Sequence, residues 1–302
     1  MRSLAGLYLL MAGCVAARPP AAAPAAGPSE MAEVSGDPVL VGAGDIGLCG
    51  SSNAERTAQL LDRIPGTVFT TGDNAYRNGS PEDFARCYDP SWGRHRKRTR
   101  PSPGNHDYGT DNGSGYFGYF GAAAGLPSRG YYSYDLGAWH VVVLNSNCRE
   151  AGGCQAGSRQ ETWLREDLAA HPARCAVAFF HHPLFSSGRR GGNPGAMHDL
   201  WKALYDGGAE IVVNGHDHDY ERFAPQDPSG APDRERGIRE FVVGTGGAAL
   251  RSFPRLPIAN SEVRDHSSHG VLKLTLHADG YDWEFIPSAG GSFTDSGSGT
   301  CH

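Results

Sequence analysis

Two histidines separated by one residue, His216 and His218, stand out as side chains that could bind a metal ion. They follow the short apolar run 211–213, which predicts a buried strand, so both lie where that strand ends and a loop begins. In extended backbone, residues two apart point to the same side, and imidazole nitrogen is a common ligand for zinc and iron. The alternative interpretation is a pair of surface histidines in a polar loop.

Other side chains with metal-ligand chemistry follow other predicted strand ends. Taken singly, each has an ordinary explanation: an aspartate after a glycine usually belongs to a turn or a helix cap, and the run 181–183 (His-His-Pro) could be the edge of a core. Several such positions in one chain favour a metal site instead. They are Asp45, Asp73 with Tyr76, Asn105 with His106, and His181.

The elements that must position these side chains follow a regular order at the start of the chain. The pattern predicts a strand over 39–41, a helix over 53–64 and a second strand over 67–71. Strand, helix and strand in this order form a βαβ unit, which makes the two strands parallel. Asp45 and Asp73 are therefore expected at the same, carboxyl edge of one sheet.

Further along, apolar patterns predict a strand pair turned at Gly137 and a strand-rich C-terminal part. The predicted strands span 131–136, 139–145, 175–180, 211–213, 241–243, 271–276 and 281–286, and the predicted helices span 160–170 and 197–205. The aromatic stretch 116–120 is predicted to be a loop engaged in packing. The basic run 94–98 predicts a solvated face, with steering of an anionic substrate as the alternative.

In this order, the motifs resemble those of the calcineurin-like metallophosphoesterases. The chain carries G-D-x-G at 44–47, G-D-x-x-Y at 72–76, G-N-H-D at 104–107, H-x-P at 181–183 and G-H-x-H at 215–218. The position of Tyr76 and the Tyr-Glu-Arg at 220–222 are similar to the purple acid phosphatase branch. The resemblance implies an α/β fold of two mixed β-sheets packed as a sandwich flanked by helices, with metals at the carboxyl ends of strands.

The resemblance also implies two metal ions that share Asp73 as a bridging ligand. A hydroxide generated by the metals would then attack a phosphoric monoester, because paired cations neutralise the phosphoryl oxygens and supply hydroxide near neutral pH. A phenolate ligand favours Fe(3+) at the first position, and Fe(2+), Zn(2+) or Mn(2+) suits the second. The implied ligands are Asp45, Asp73, Tyr76 and His218 for the first ion and Asp73, Asn105, His181 and His216 for the second.

His106 is the expected general acid or phosphate ligand, because it follows a candidate ligand directly without being one. Its alternative is a structural histidine bonded to Asp107. His182 is left for packing or support of its neighbour. Plant-type relatives carry further histidines after the H-x-P motif, whereas this chain has Arg189 and Arg190, which we expect to contribute to phosphate binding.

Two other functions remain open at this stage. A phosphodiesterase would use the same metals, and a surface-attached module could keep metals for structure alone, although His106 argues against the latter. Nucleic acid is excluded as a structural partner, because a net charge of -6 and a pI near 6.1 provide no basic field for phosphates. The sequence predicts no oligomeric state.

The first residues predict export. A single positive charge at Arg2 and a short apolar run favour a signal peptide over 1–17, and 11–14 (Met-Ala-Gly-Cys) is similar to a lipobox that would lipidate Cys14 and attach the protein to a membrane. Cleavage after Ala17 is the alternative, giving a secreted protein. An Ala/Pro-rich linker over 18–36 and a catalytic domain over 37–302 are expected to follow.

Cysteine usage agrees with an oxidising compartment. Six cysteines outside the leader suggest three disulfides, with 15 connectivities formally open. Cys148 with Cys154 would close a small loop, and Cys49 with Cys87 would connect two loops near the predicted metal site.

Overall fold

In the residues that the structure describes, thirteen strands arranged in two sheets position the loops of interest. The computed structural model describes Met1, residues 36–254 and residues 256–302. The predicted signal segment and linker therefore lie outside the described residues, apart from Met1 and Gly36. The strands are β1 (Val39–Ala43), β2 (Thr67–Thr71), β3 (Thr99–Ser102), β4 (Tyr132–Leu136), β5 (Trp139–Val143), β6 (Cys175–Phe179), β7 (Ile211–Asn214), β8 (Tyr220–Phe223), β9 (Arg239–Val243), β10 (Ser261–Asp265), β11 (Gly270–Leu276), β12 (Gly280–Pro287) and β13 (Asp295–Thr300).

Helices and short helical turns connect these strands. The helices are α1 (Asn53–Leu61), α2 (Pro81–Asp83), α3 (Ser114–Phe120), α4 (Cys148–Ala151), α5 (Arg159–Ala170) and α6 (Pro194–Asp206). Single turns of other helix types lie at Phe84–Tyr88, Trp92–Arg98, His106–Tyr108, Asp111–Gly113 and Gly121–Ala124. None of the helices in the described part of the chain combines the length and apolar character needed to cross a membrane.

Both sheets are mixed. The first has the order β13-β12-β11-β1-β2-β3 and the second β10-β8-β9-β7-β6-β5-β4. The strands β1, β2 and β3 run parallel, as do β5, β6, β7 and β9. Antiparallel pairing adds β11, β12 and β13 to the first sheet and β4, β8 and β10 to the second. The predicted βαβ unit and the predicted fold class of two mixed sheets with flanking helices are confirmed. Residues 37–302 form one compact unit.

Alternation along the strands explains how the layers pack. Val141 and Val143 of β5 belong to the core between the two sheets, where the rings of Phe69 and Phe179 stack with centroids 5.0 Å apart. Val142 belongs instead to a second core, which the helices α5 and α6 cover. A strand that is apolar on both faces is expected where one face meets a sheet and the other meets helices.

Two segments differ from the sequence-based expectation. The stretch 116–120 is not a loop but most of α3, because Tyr116 and Phe120 lie four residues apart on one helical face and both are buried. In the basic run 94–98, Arg94 pairs with Glu55 of α1 and with Asp62, the residue that follows this helix. These ion pairs connect the basic run to α1, so the run is not simply a solvated face.

Disulfides connect three pairs of cysteines. The expected pairs Cys49–Cys87 and Cys148–Cys154 are both present. The third joins Cys175, the first residue of β6, to Cys301, which follows β13. The third bond therefore links the second sheet to the first.

Candidate metal centre

The predicted ligands come from loops at the carboxyl ends of parallel strands. Asp45, Asp73 and Asn105 follow β1, β2 and β3 of the first sheet, and His181 and His216 follow β6 and β7 of the second. The carboxyl ends of parallel strands share one edge of a sheet, and the two sheets present these edges side by side. Residues far apart in sequence thereby meet in one place.

Asp73 lies at the centre of the cluster. Its Oδ2 atom is 3.1 Å from the hydroxyl of Tyr76 and 3.4 Å from Nε2 of His181. Tyr76 belongs to one predicted ligand set and His181 to the other. A single carboxylate oxygen is thus within reach of both sets.

The first ligand set gathers around Asp45. The Tyr76 hydroxyl lies 2.7 Å from Asp45 Oδ1 and 3.3 Å from His218 Nε2. His218 Nε2 is itself 3.2 Å from Asp45 Oδ1. Asp45, Tyr76 and His218 are all buried, so these atoms face one another and not the solvent.

The second ligand set gathers around His181. Its Nε2 atom lies 3.2 Å from Asn105 Oδ1 and 3.2 Å from Nδ1 of His216. His181 is completely buried, whereas Asn105 and His216 are at the border of the site. The structure therefore brings all seven predicted ligands together, and their role in binding metal remains a prediction.

Hydrogen bonds to backbone carbonyls fix which imidazole nitrogens face the cluster. His181 Nδ1 donates to the carbonyl oxygen of Thr71 and His218 Nδ1 to that of Ala249, each at 2.8 Å. A carbonyl can only accept, so Nε2 of each neutral ring has a lone pair, and this lone pair meets the carboxylates of Asp73 and Asp45. Acceptors facing acceptors require either protons or a cation between them. The donor set therefore fits metal ions.

The pKa values follow from the same arrangement. Burial opposes charge on His181, but the Asp73 and Asp45 carboxylates outweigh it and raise the pKa of His181 to about 9. Burial favours the neutral form of Asp73, but the neighbouring His181 and His106 hold its pKa well below the usual range. Burial, followed by the charges of Asp45 and Asp73, raises the pKa of Tyr76 far above its ordinary value. The field of the site attracts positive charge and opposes a free phenolate.

Left-handed backbone occurs at three of the predicted ligands. The φ angles are 59° at Asp45, 50° at Asp73 and 71° at His216, a region that non-glycine residues seldom occupy. The carboxylates of Asp45 and Asp73 stabilise the turns in which these residues lie. Asp73 Oδ1 accepts a hydrogen bond from the His106 amide, and Asp45 Oδ2 accepts one from the His216 amide. The extended backbone expected across His216 and His218 is therefore wrong, since the chain turns at His216 and sends the two rings to different ligand sets.

One glycine in the cluster permits a close approach. A Cβ atom on Gly104 would lie 2.2 Å from both the amide nitrogen and Oδ1 of Asp73. Any side chain there would displace the aspartate that both ligand sets share. This close approach explains why the first position of the G-N-H-D motif requires glycine.

His106 lies beside the cluster without joining either ligand set. Its Nδ1 donates to the carbonyl oxygen of Arg77, which leaves Nε2 facing Asp73 Oδ2 at 3.9 Å. The side chain keeps 35% of its surface exposed, so a substrate could reach it. The buried Asp107 carboxylate accepts hydrogen bonds from the amides of Asn74 and Gly104, and the structure does not pair it with His106 within the described residues.

The two arginines after the H-x-P motif differ in their relation to the site. Both are exposed. The amide of Arg190 donates to Asp217, and its charge is among the influences that lower the pKa of His216, after burial and the charges of His181 and His182. No contact between Arg189 and the ligand cluster is seen in the described part of the chain. Of the two, Arg190 is therefore the one whose charge acts on a predicted ligand.

Sequence reasoning missed several supporting groups. For His182 the expectation of packing or support of its neighbour did not indicate which groups it contacts: its ring centroid lies 4.5 Å from that of His216, and its Nδ1 is 2.8 Å from the hydroxyl of Ser146. The doubled histidine was the available signal for this residue. Ser146 and the carbonyls that orient His181 and His218 have no sequence signal.

An α/β sandwich with carboxylates and histidines converging at its strand ends defines the metallophosphoesterase class. Residues 39–220 match the family described as calcineurin-like phosphoesterase, which is more than half of the chain, and the chain belongs to that family. Several of the relatives it matches are purple acid phosphatases. It is 28% identical over 218 residues to purple acid phosphatase 15 of Arabidopsis thaliana, covering 59% of this chain and 40% of that protein.

Solved structures show the same fold. The purple acid phosphatase PPD1 from yellow lupin (Lupinus luteus) has a TM-score of 0.67 at 22% identity, covering 86% of this chain and 53% of that one. The GAP50 protein of Plasmodium, described as the anchor in the inner membrane complex, has a TM-score of 0.66 at 14% identity, covering 89% and 90%. The chain spans two fifths or less of the length of the first two curated purple acid phosphatases it matches.

Proposed function

We propose that this protein is an exported two-metal phosphatase that hydrolyses phosphoric monoesters. The observation that carries the proposal is the position of Asp73 Oδ2 between Tyr76 and His181, which suits a carboxylate shared by two ions. When bound, the metals would neutralise the phosphoryl oxygens and supply a hydroxide nucleophile near neutral pH. Residues 37–302 would form the catalytic domain.

The chain's own residues have separate tasks in this proposal. Asp45, Asp73, Tyr76 and His218 would hold the first ion, and Asp73, Asn105, His181 and His216 the second. A tyrosine with carboxylates and one imidazole suits Fe(3+), and the more nitrogen-rich second set suits Fe(2+), Zn(2+) or Mn(2+). His106 would protonate the departing alkoxide or hold a phosphate oxygen through Nε2, the ring nitrogen that faces Asp73.

A comparison of two ester substrates tests the reaction. The metal-loaded protein should hydrolyse a nitrophenyl phosphate faster than the corresponding bis ester, and Asp73→Asn should lose both activities together with bound metal. A faster bis ester would make the protein a phosphodiesterase. If a fully metallated sample is inactive and indistinguishable from His106→Ala, the protein keeps its metals for structure only.

Export is supported by the disulfides at Cys49–Cys87, Cys148–Cys154 and Cys175–Cys301, since such bonds persist in oxidising compartments. Two routes are proposed, namely lipidation of Cys14 with attachment to the cell envelope, or cleavage after Ala17 with secretion. Fractionation of cells expressing the wild type and Cys14→Ser separates them. Release of only the variant into the medium supports lipidation, and equal release supports secretion.

A further inference from the structure

A second histidine-carboxylate cluster lies at the other end of the second sheet. His140 of β5 pairs in register with Ala176 near the start of β6, whereas His181 follows the end of that strand. Five residues of extended chain separate Ala176 from His181, which corresponds to roughly 16 Å. The cluster around His140 is thus separate from the candidate metal centre.

His140 is a buried imidazole held between two carboxylates. Its Nδ1 lies 2.8 Å from Asp135 Oδ1, and its Nε2 lies 2.9 Å from Asp167 Oδ2. Only 1% of the side chain is exposed. A neutral ring has one N–H and one lone pair, so one of these contacts needs either a second proton or a cation.

His171 adds a second imidazole to the cluster. It lies four residues after Asp167 at the end of α5, a spacing that places both side chains on one helical face. Its Nδ1 donates to the Asp167 carbonyl, which leaves Nε2 as its free ligand atom, and its ring stacks on that of His140 with centroids 4.6 Å apart and 9° between the planes. The exposed His171 ring must therefore turn before both imidazoles can point to one ion. One potential ligand atom each of His140, Asp167 and His171 lies within 4.8 Å of the others.

The surroundings allow an ion to enter and orient its ligands. His171 has 44% of its side chain exposed, and a cavity of about 370 Å³ lined by Asp135 and His171 opens beside the cluster. The Ser133 hydroxyl donates to Asp167 Oδ1, and Asp135 holds the far nitrogen of His140. A carboxylate on the far nitrogen of a metal-binding histidine is a common supporting arrangement.

We propose that His140, Asp167 and His171 form a further binding site for a divalent transition-metal ion, with Zn(2+) the best match. Two imidazoles and one carboxylate are typical zinc ligands, and three protein ligands leave a position for water. The ion would connect the end of α5 to the β4–β5 hairpin. It would stabilise the fold without taking part in phosphoester hydrolysis.

Zinc binding by the full protein, with its metal centre already loaded, tests this site. After equilibration with Zn(2+) and removal of free metal, the wild type should retain one more ion per chain than His171→Ala. Calorimetric titration should show an additional binding event whose affinity falls at least about tenfold in that variant. The exposed position of His171 makes misfolding of the variant improbable, and His171→Gln repeats the measurement with a larger polar side chain.

His277→Ala is the matched control. His277 also lies between two carboxylates, Asp37 at 2.6 Å and Asp282 at 3.0 Å. Among the described residues, however, no second imidazole joins these side chains in a group that could hold a metal ion. Its removal should leave the number of bound ions unchanged, and monoester hydrolysis should be equal in all variants. The same zinc content in wild type and His171→Ala, or an equal loss in His277→Ala, would overturn the proposal and leave His140 as a protonated ring between two aspartates.

Discussion

Asp73 and His181 follow strands of different sheets, yet Oδ2 of Asp73 lies 3.4 Å from Nε2 of His181. The contact forms because β2 and β6 end at neighbouring edges of the sandwich. A shift of one sheet against the other by an ångström or two would separate the two ligand sets.

Replacing His106 should slow catalysis without removing metal. We expect His106→Ala to lower kcat by about 10²- to 10⁴-fold, because a positioned proton donor contributes this much. The loss should be larger for an alkyl phosphate than for a nitrophenyl phosphate, whose leaving group needs little protonation.

Steady-state kinetics and metal analysis check the His106 prediction. His198→Ala, which removes an exposed histidine on α6, is the control and should behave as wild type. An equal loss on both substrates would point to phosphate binding by His106 and not to proton transfer.

Tyr76 should give the iron-loaded protein its colour. Burial and the charges of Asp45 and Asp73 raise the pKa of Tyr76, so its phenolate forms only when a strongly charged ion displaces the proton. We expect a visible charge-transfer band with Fe(3+) that disappears in Tyr76→Phe. Tyr116→Phe, which removes a buried hydroxyl bonded to the Pro101 carbonyl, should keep the band. A band of equal intensity in Tyr76→Phe would contradict Fe(3+) binding by this residue.

The two neighbouring arginines should differ in their effect on substrate binding. The charge of Arg190 reaches His216, whereas Arg189 has no contact with the cluster in the described residues. Arg190→Ala should raise KM about tenfold with little change in kcat, since a charged hydrogen bond to phosphate contributes about 1.5 kcal/mol or more. Arg189→Ala serves as the matched control with an unchanged KM. Equal effects of the two variants would show that the difference in position does not matter.

Glu240 should make stability fall as pH rises. Burial, with a smaller contribution from the charge of Glu221, raises the pKa of Glu240 well above 4.5. The amides of Leu184 and Phe185 donate to Oε1 and oppose this rise without cancelling it, while Oε2 has no hydrogen-bond partner in the described residues. Above pH 4.5 the unfolded chain releases this proton and the folded chain retains it, so unfolding becomes more favourable by about 1.4 kcal/mol per pH unit.

The comparison is between wild type and Glu240→Gln, which cannot ionise, under identical metal conditions. Chemical denaturation from pH 5 to pH 7 should show the variant gaining in relative stability with each step. Parallel curves for the two proteins would mean that Glu240 ionises normally in the folded state.

Much of the architecture could be predicted from the sequence. Short apolar runs gave the positions of β1, β2, β6 and β7, and the rule for parallel strands explained why the residues after them meet. The helix over the aromatic stretch 116–120 was not predicted, because its helical spacing covers little more than one turn. The pair Cys175–Cys301 was not singled out, since connectivity depends on how the two sheets pack.

The finer geometry of the site was beyond sequence reasoning. Aspartate and histidine adopt a left-handed backbone more often than most non-glycine residues, but their identity at Asp45, Asp73 and His216 does not by itself predict that they do so here. The carbonyls of Thr71 and Ala249 select the ring nitrogens that face the cluster, and every residue has such a carbonyl. The ligand set came instead from the family resemblance.

The bond between Cys175 and Cys301 has a consequence for how firmly the two sheets are joined. Cys175 begins β6 and His181 follows its end. The disulfide therefore links the two sheets at one end of β6, and the candidate metal ligands lie at the other end. Closing a loop of 126 residues removes roughly 5 kcal/mol of unfolded-state entropy. If a chelator removed the proposed metal ions, the disulfide would keep the two sheets in register, and the protein could bind metal again.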